Sequence, residues 1–277
     1  MPKYIVAVSG GIDSVVLLDM MSRLPDYDLI VAHFDHGIRG DSDRDAQFVK
    51  TLTQKYNVPF ETKREELGED ASEDLARRRR YAFLRELAEK HQAPIVTAHH
   101  ADDVLETIAI NHVRGTGWRG LAVLDSDIVR PLLGFTKEDL KNYAQQYDIT
   151  WREDSTNASD KYLRNRLRGQ VAGLEPTKKS HIHALHQRQL ELKKDIEAEV
   201  RQLVGEGPKY SRYFFTHIPA NVAIECLRYV TQGALTRPQL TRALLAIKTV
   251  HPGKIFEASK QVKLHFHARS FTVEMVK

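Results

Sequence analysis

The residues best placed to do chemistry lie close to the N-terminus. In "VAVSGGIDSVVLL", Ser9, Gly10, Gly11, Ile12, Asp13 and Ser14 stand between a short apolar run and an apolar helical pattern. A strand, a glycine turn and a helix in that order aim backbone N–H groups and a helix N-terminus at an anion. The glycines let the backbone come close, and the two serines add hydroxyl donors. The lysine that reaches the β- and γ-phosphates in loops ending Gly-Lys-Ser/Thr is missing. Asp13 is the odd member. A carboxylate beside phosphates repels them unless a cation intervenes, so Asp13 points to Mg2+. An ordinary strand-to-helix turn is the bland alternative.

Three further clusters carry chemical potential. In "AHFDHGIR", Asp35 and His36 follow a second apolar run and would face the same sheet edge as the glycine loop. Asp35 suits a metal ligand or a proton acceptor, or simply caps its loop. In "TAHHADDVLET", His99 and His100 end a strand pattern, and Asp102, Asp103 and Glu106 open a helix. Asp103 and Glu106 are three apart and share a helix face. Acids in a first turn also favour the helix dipole, which is the plain reading of Asp102. In the block Arg77 to Arg80, helical spacing sets Arg80 beside the apolar stripe Ala76, Phe83, Leu84 and Leu87, with Arg77 flanking it. Arg78 falls outside. A half-buried arginine needs an anionic partner, either an internal carboxylate or a phosphate. Arg114 and Arg119 in "HVRGTGWRGL", and Arg164, Asn165 and Arg168 in "KYLRNRLR", suit contacts to a phosphate backbone. A solvated, salt-bridged helix face is the alternative for such runs.

The first part of the chain alternates strand and helix patterns: Tyr4–Val8, Leu29–Phe34, a strand at "PFETKR", a strand at "PIVTAHH", and a fifth candidate at Ile128–Leu132. Helices lie between them, one with Asp70 as N-cap and Glu73 closing a capping box. This predicts an α/β fold, a doubly wound, mostly parallel five-stranded sheet with ligands beyond the carboxyl ends of its strands. Residues 1–173 form the expected catalytic domain. Residues 174–204 read as a connector helix with the seam Ile182, Leu185, Leu192, Ile196 and Leu203. Residues 205–277 read as a small α+β domain. Its two short helices precede a hairpin alternating at Val262, Leu264 and Phe266.

With 277 residues the chain has room for two domains. No run approaches the roughly 20 apolar residues of a membrane span, and the start shows no signal-peptide pattern. A cytoplasmic location without membrane contact is expected. The single cysteine, Cys226, excludes an internal disulfide and a multi-cysteine metal site within the chain. A net charge of +4 is compatible with nucleic acid.

"SGGIDS" after a first strand resembles the pyrophosphate-loop family of ATP pyrophosphatases. That family cuts ATP between its α- and β-phosphates, activates a substrate oxygen as an adenylate and releases pyrophosphate. Nothing is transferred from the γ-phosphate, which accounts for the missing lysine. Within it, "HFDHGIR", "ARRRRYAFL", "TAHHADDVLET", "VRGTGWRGL", "VRPLL" and "DSTNASDKYLRNRLR" in this order resemble the tRNA(Ile)-lysidine synthetase branch. The likeness covers roughly residues 4–168. It implies ATP and Mg2+ as cofactors, and L-lysine and tRNA(Ile) with a CAU anticodon as substrates, with a homodimer as the assembly considered. The implied reaction joins lysine to carbon 2 of the wobble cytidine through an adenylylated intermediate.

Matched motif by motif, the resemblance implies that Ser9, Gly10, Gly11, Ile12, Asp13 and Ser14 bind the ATP phosphates. It implies that Ala32, His33 and Phe34 lie near adenine, and that Arg77 and Arg80 lie near ATP or RNA, with Arg80 counted among the catalytic residues. His99, Asp103 and Glu106 would surround the lysine pocket, where one could take the proton of the attacking amine. Asp13 and Asp35 would be the metal ligands, and Asp35 also a catalytic residue. Arg114, Arg164, Asn165 and Arg168 would bind substrate RNA, Asn165 and Arg168 also closing the site. Longer members carry another C-terminal domain, so the chain resembles the short form.

Rivals remain at this point. A sulfur-transferring tRNA thiolase on the same loop is disfavoured by the lone cysteine. A metal-dependent phosphohydrolase could be built on "HHADD" and "FDH". A non-catalytic RNA-binding protein would bind tRNA with strong salt dependence and no turnover.

Overall fold

Strand β1 (Lys3–Ala7) lies inside a parallel sheet, flanked by β2 (Asp28–Asp35) and β4 (Ile95–Val96), with β3 (Phe60–Arg64) at the edge beyond β2. The computed structural model describes residues 1–37, 42–68, 71–152 and 163–276, apart from the side chains of residues 42, 43, 73 and 163–165. The strand order is β3-β2-β1-β4, with Val6 opposite Val31 on one side and Val96 on the other. The chain therefore changes winding direction between β1 and β4. Such a reversal opens a crevice at the carboxyl ends of those two strands.

The apolar runs are continuous because both sheet faces are covered. Val6, Val8, Leu29 and Val31 pack with α1 (Ile12–Ser22), α2 (Ser42–Tyr56) and α5 (Lys137–Gln146) through Val15, Leu18, Val49, Leu52 and Leu140. Ile5, Ile30, Ala32 and Phe34 face Phe83, Leu84 and Leu87 of α3 (Glu73–His91). Beneath the first layer, the buried Asp19 carboxylate ties three helices together. It accepts from Arg23 Nε (2.7 Å), Tyr56 Oη (2.8 Å) and Tyr143 Oη (2.8 Å). Burial opposes its charge, but these donors outweigh it and hold the carboxyl below the usual range.

Two expectations are corrected here. The sheet has four strands, not five. Of Ile128–Leu132 only Val129 pairs, in a parallel bridge to Val96. Val129 N–H donates to Ile95 O (2.8 Å), and Thr97 N–H donates to Val129 O (3.0 Å). Pro131 then opens a 3-10 turn, Pro131–Gly134, because its ring has no N–H to continue a ladder. Helix α3 starts at Glu73, and its N-cap is Ser72, whose hydroxyl accepts from Leu75 N–H at 3.2 Å. Asp70 lies outside the described residues.

The chain divides into two compact units, Met1–Leu190 and Glu191–Lys277. Helix α7 (Pro176–Val204) runs through that boundary. Its expected apolar seam is only partly buried: Leu185, Leu192 and Leu203 are exposed, while His186 and Val200 are buried. The second unit holds an antiparallel sheet of order β5-β8-β7-β6, from β5 (Lys209–Ser211), β6 (Ile255–Glu257), β7 (Val262–Phe266) and β8 (Ser270–Met275). Val262, Leu264 and Phe266 alternate inward as the spacing predicts. They share a core with Phe215 of α8 (Arg212–His217), Leu227 of α9 (Ala220–Val230) and Leu240 of α10 (Arg237–Thr249). Cys226 is buried in this core, where burial pushes its thiol up to about 11. Among the described residues no helix is long and apolar enough to cross a membrane.

Candidate active site

The glycine loop leaves β1 at the crevice. Gly10 holds φ +96°, a conformation that side-chain-bearing residues rarely adopt. The turn folds around the Ser14 hydroxyl, which accepts from Ser9 N–H (3.1 Å) and Gly10 N–H (3.2 Å) and donates to Gly11 O (2.9 Å). Two loop N–H groups thus converge on one oxygen at the start of α1, the geometry an anion oxygen also satisfies.

Across the crevice, α4 (Ala101–Val113) begins directly after β4. Its cap is His100, whose backbone N–H donates to Asp103 Oδ2 at 2.9 Å. The glycine loop and the carboxylate–histidine motif lie side by side, and the cluster between them is largely buried. His100 Nε2 stands 3.6 Å from Asp103 Oδ2 and 3.8 Å from Asp13 Oδ2, so the two motifs meet through this ring. Glu106 is buried one turn further on and accepts from Arg168 Nε at 3.0 Å. Arg168 belongs to α6 (Leu163–Ala172), which packs along α4. Burial disfavours its charge, but Glu106, Asp103 and Asp13 more than offset this and raise its pKa. Arg168 is therefore tied to the carboxylate cluster. Arg164 and Asn165 sit in the first turn of α6, and their side chains are outside the described residues.

His99 takes a different environment. Thr97 Oγ1 lies 2.8 Å from its Nδ1. Burial pushes its pKa down to about 4. Asp103 opposes that shift, and the positive charges of Arg130, Arg77 and Arg80 add to it. The ring is neutral at pH 7, with three guanidinium groups acting on it. Arg77 and Arg80 are half-buried, as helical spacing predicts, with their guanidinium carbons 4.9 Å and 5.5 Å from the Tyr81 ring centre. Arg78 is exposed and pairs with Asp74.

The remaining sequence-predicted positions separate. Asp35 is buried at the end of β2, where it accepts from Gly37 N–H (2.9 Å) and lies 3.5 Å from Arg64 Nη1. No described contact joins it to Asp13. Among the described residues no group of three His, Cys, Asp or Glu side chains is arranged to hold a metal ion. Ala32 and Phe34 face α3, while His33 turns to the other side, its Nδ1 2.8 Å from Val8 O under the loop. Arg114 is exposed as the C-cap of α4, at the opposite end from the carboxylates.

Sequence reasoning missed two residues that complete the site, Lys137 and Lys179. Lys137, the first residue of α5, places its Nζ 2.6 Å from Asp13 Oδ1. Its backbone N–H donates to Asp102 Oδ2 (2.8 Å), and Asp102 Oδ1 accepts from Lys179 Nζ (2.8 Å). Asp102 is thus a buried clamp on α5 and α7. Burial would raise its pKa, but the Lys179 ammonium and the Lys137 N–H more than offset this and lower it. The two lysines lie 124 and 77 residues from their partners, so no local pattern could show the pairs. A distant segment thus places an ammonium group beside a loop that has none of its own.

A phosphate-type loop at a sheet switch point, facing a cluster of carboxylates and histidines, defines a nucleotide-using α/β domain. The PP-loop domain family model, which describes ATP-binding domains, matches residues 1–175, and the chain belongs to this family. Its curated relatives include the tRNA(Ile)-lysidine synthase of Exiguobacterium sibiricum, 40% identical over 183 residues that make up 63% of this chain and 44% of that protein. That of Geobacter sulfurreducens is 34% identical over 264 residues, 88% of this chain and 55% of that protein. That of Thermotoga maritima is 37% identical over 198 residues, covering 65% and 48%. The chain spans about half the length of these relatives. Among solved structures, a U34-tRNA thiolase from Methanococcus maripaludis shares the fold. Its TM-score is 0.58 at 18% identity, covering 69% of this chain and 73% of that one.

Proposed function

We propose that the protein ligates L-lysine to carbon 2 of the wobble cytidine in CAU-anticodon tRNA(Ile), using ATP. The observation that carries this reading is the meeting of the phosphate loop with an acidic pocket, through Asp13, His100 and Asp103. A triphosphate and an amine can there flank one reacting base. Relatives with the lysidine synthase name support it, one of them aligned with 88% of this chain, and the family model spans both motifs.

In this reading the cytidine O2 attacks the α-phosphorus and pyrophosphate leaves. The lysine amine then attacks carbon 2, and AMP departs with the former O2. Ser9, Gly10, Gly11, Ile12 and Ser14 hold the leaving pyrophosphate with N–H and hydroxyl dipoles. Lys137 adds the positive charge. The backbone of Ala32, His33 and Phe34 borders the adenine side, their side chains being buried, and Arg77 and Arg80 face the nucleotide or RNA phosphates. Asp103 and Glu106 receive the lysine ammonium, the Glu106 carboxylate also accepting from Arg168. Neutral His99 does not repel that cation and is free to accept a hydrogen bond from it. Arg114, Arg164 and Asn165 contact RNA. Mg2+ is usually held by one or two carboxylates together with substrate phosphates, and Asp13 suits that role. Asp35 fits it less well, being buried and bonded to Gly37 and Arg64, whereas Asp13 stays partly exposed beside Lys137. The ion would neutralise charge on the phosphates.

Pyrophosphate release and labelled-lysine incorporation test the reading, with CAU-anticodon tRNA(Ile) and tRNA(Met) compared, each with and without lysine. Incorporation confined to tRNA(Ile) is expected. Pyrophosphate release without incorporation would keep the adenylylating step and overturn the nucleophile.

A further inference from the structure

We propose that a second cavity, at the C-terminal end of α4, takes one unpaired nucleobase of the RNA, next to but separate from the reacting cytidine. The proposal rests on the reading that the substrate is RNA. The cavity measures about 360 Å³ and is lined by His112, Thr116, Trp118, Leu121 and the glycines among them. That is within the range of small-ligand sites.

Four observations point to a flat aromatic ligand with phosphates nearby. The Trp118 indole lines the cavity, and the Arg119 guanidinium carbon lies 4.7 Å from its ring centre. Indole and guanidinium planes are the surfaces on which proteins stack splayed RNA bases. The loop is built in advance. Thr116 Oγ1 donates to Asn111 O (3.1 Å), Asn111 Nδ2 donates to Gly120 O (3.2 Å), and Gly120 N–H donates to Gly117 O (2.9 Å). A Cβ on Gly120 would sit 1.9 Å from Thr116 Oγ1, so a side chain there would displace the hydroxyl that helps close the loop. The stretch from His112 to Leu124 contains Arg114 and Arg119 and no acid. Finally, α4 carries the reaction carboxylate Asp103 at one end and His112 at the other, roughly 13 Å apart at the helical rise. A stacked strand rises about 3.4 Å per nucleotide, so the two sites suit bases about four nucleotides apart or fewer.

The test uses a CAU anticodon stem–loop, with one abasic nucleotide placed in turn at each loop position, and no ATP or lysine. Trp151→Phe leaves Trp118 as the only indole of the chain. Quenching of Trp118 by the intact stem–loop is expected. One abasic position within about four nucleotides of the wobble cytidine should remove the quench and weaken binding five- to a hundredfold. Trp118→Ala should lose the same factor and become insensitive to that position, while Trp118→Phe keeps most of the affinity and stays sensitive. Stem–loop binding with no abasic position coupled to Trp118 overturns the site. Failure of the wild-type protein to bind the stem–loop overturns the RNA reading as well.

Discussion

Lys137 and Asp13 form the tightest charged contact at the phosphate loop, 2.6 Å between Nζ and Oδ1. In the proposed reaction each has a separate task. Asp13→Ala should abolish pyrophosphate release while changing RNA affinity less than about twofold. Normal turnover in that variant would remove Asp13 from the chemistry. A hydrogen bond to a charged group contributes about 1.5–3 kcal/mol. Lys137→Met should therefore raise KM for ATP about ten- to a hundredfold, with Lys137→Arg recovering part, as steady-state pyrophosphate assays would read. His99 makes a pH prediction. Its folded pKa of about 4 lies below the usual 6.5, so between these values the unfolded chain binds the extra proton. Stability is full above pH 6.5, falls as pH drops towards 4, and stops changing below that on this account. The loss is on the order of 3 kcal/mol. Denaturant titrations of the wild type and His99→Gln should differ in slope within that window alone.

Helices α1, α2 and α5 meet at Asp19, whose carboxylate accepts from Arg23 and two tyrosines. The Tyr143 hydroxyl, half-buried and bonded to this carboxylate, is pushed up to about 12. Removing the acceptor leaves both phenols and Arg23 without it. Asp19→Ala should cost about 3 kcal/mol in denaturant unfolding, and Tyr143→Phe about 1 kcal/mol. A smaller effect of Asp19→Ala than of Tyr143→Phe would refute the shared-acceptor account. The elements themselves were legible in the sequence wherever period and apolar run agreed, as in β1, β2 and β7. The inward placement of Arg77 and Arg80 could also be read, because helical spacing is local information. What escaped the sequence depended on distant partners. Val129 pairs once and stops at Pro131, and Asp103 does the capping expected of a first-turn acid while Asp102 is the buried clamp. Lys137 and Lys179 reach the site only because α5 and α7 fold back on α4. The types and face of the pocket carboxylates were legible; their counter-charges were not.

Charge is divided unevenly along the chain. From Glu191 to Lys277 there are 14 basic and eight acidic side chains, a net of +6, against +4 for the whole chain, so residues 1–190 carry a net of −2. An excess of positive charge attracts a polyanion such as RNA and speeds its association. We place the electrostatic footprint for RNA in the second unit, with residues 205–277 as the RNA-contacting domain. Arg168 is excluded from it, because its guanidinium is tied to buried Glu106 and reversal there would break the pocket. Arg242 and Lys248 are exposed on α10 and serve the test better. Each phosphate contact removed should flatten the dependence of log binding constant on log salt by about 0.9 for duplex or 0.7 for single-stranded RNA. Arg242→Gln with Lys248→Gln should thus lower the slope by roughly one to two and leave kcat at saturating RNA unchanged. A slope equal to that of the wild type would make α10 a solvated face and move the RNA surface elsewhere on the molecule.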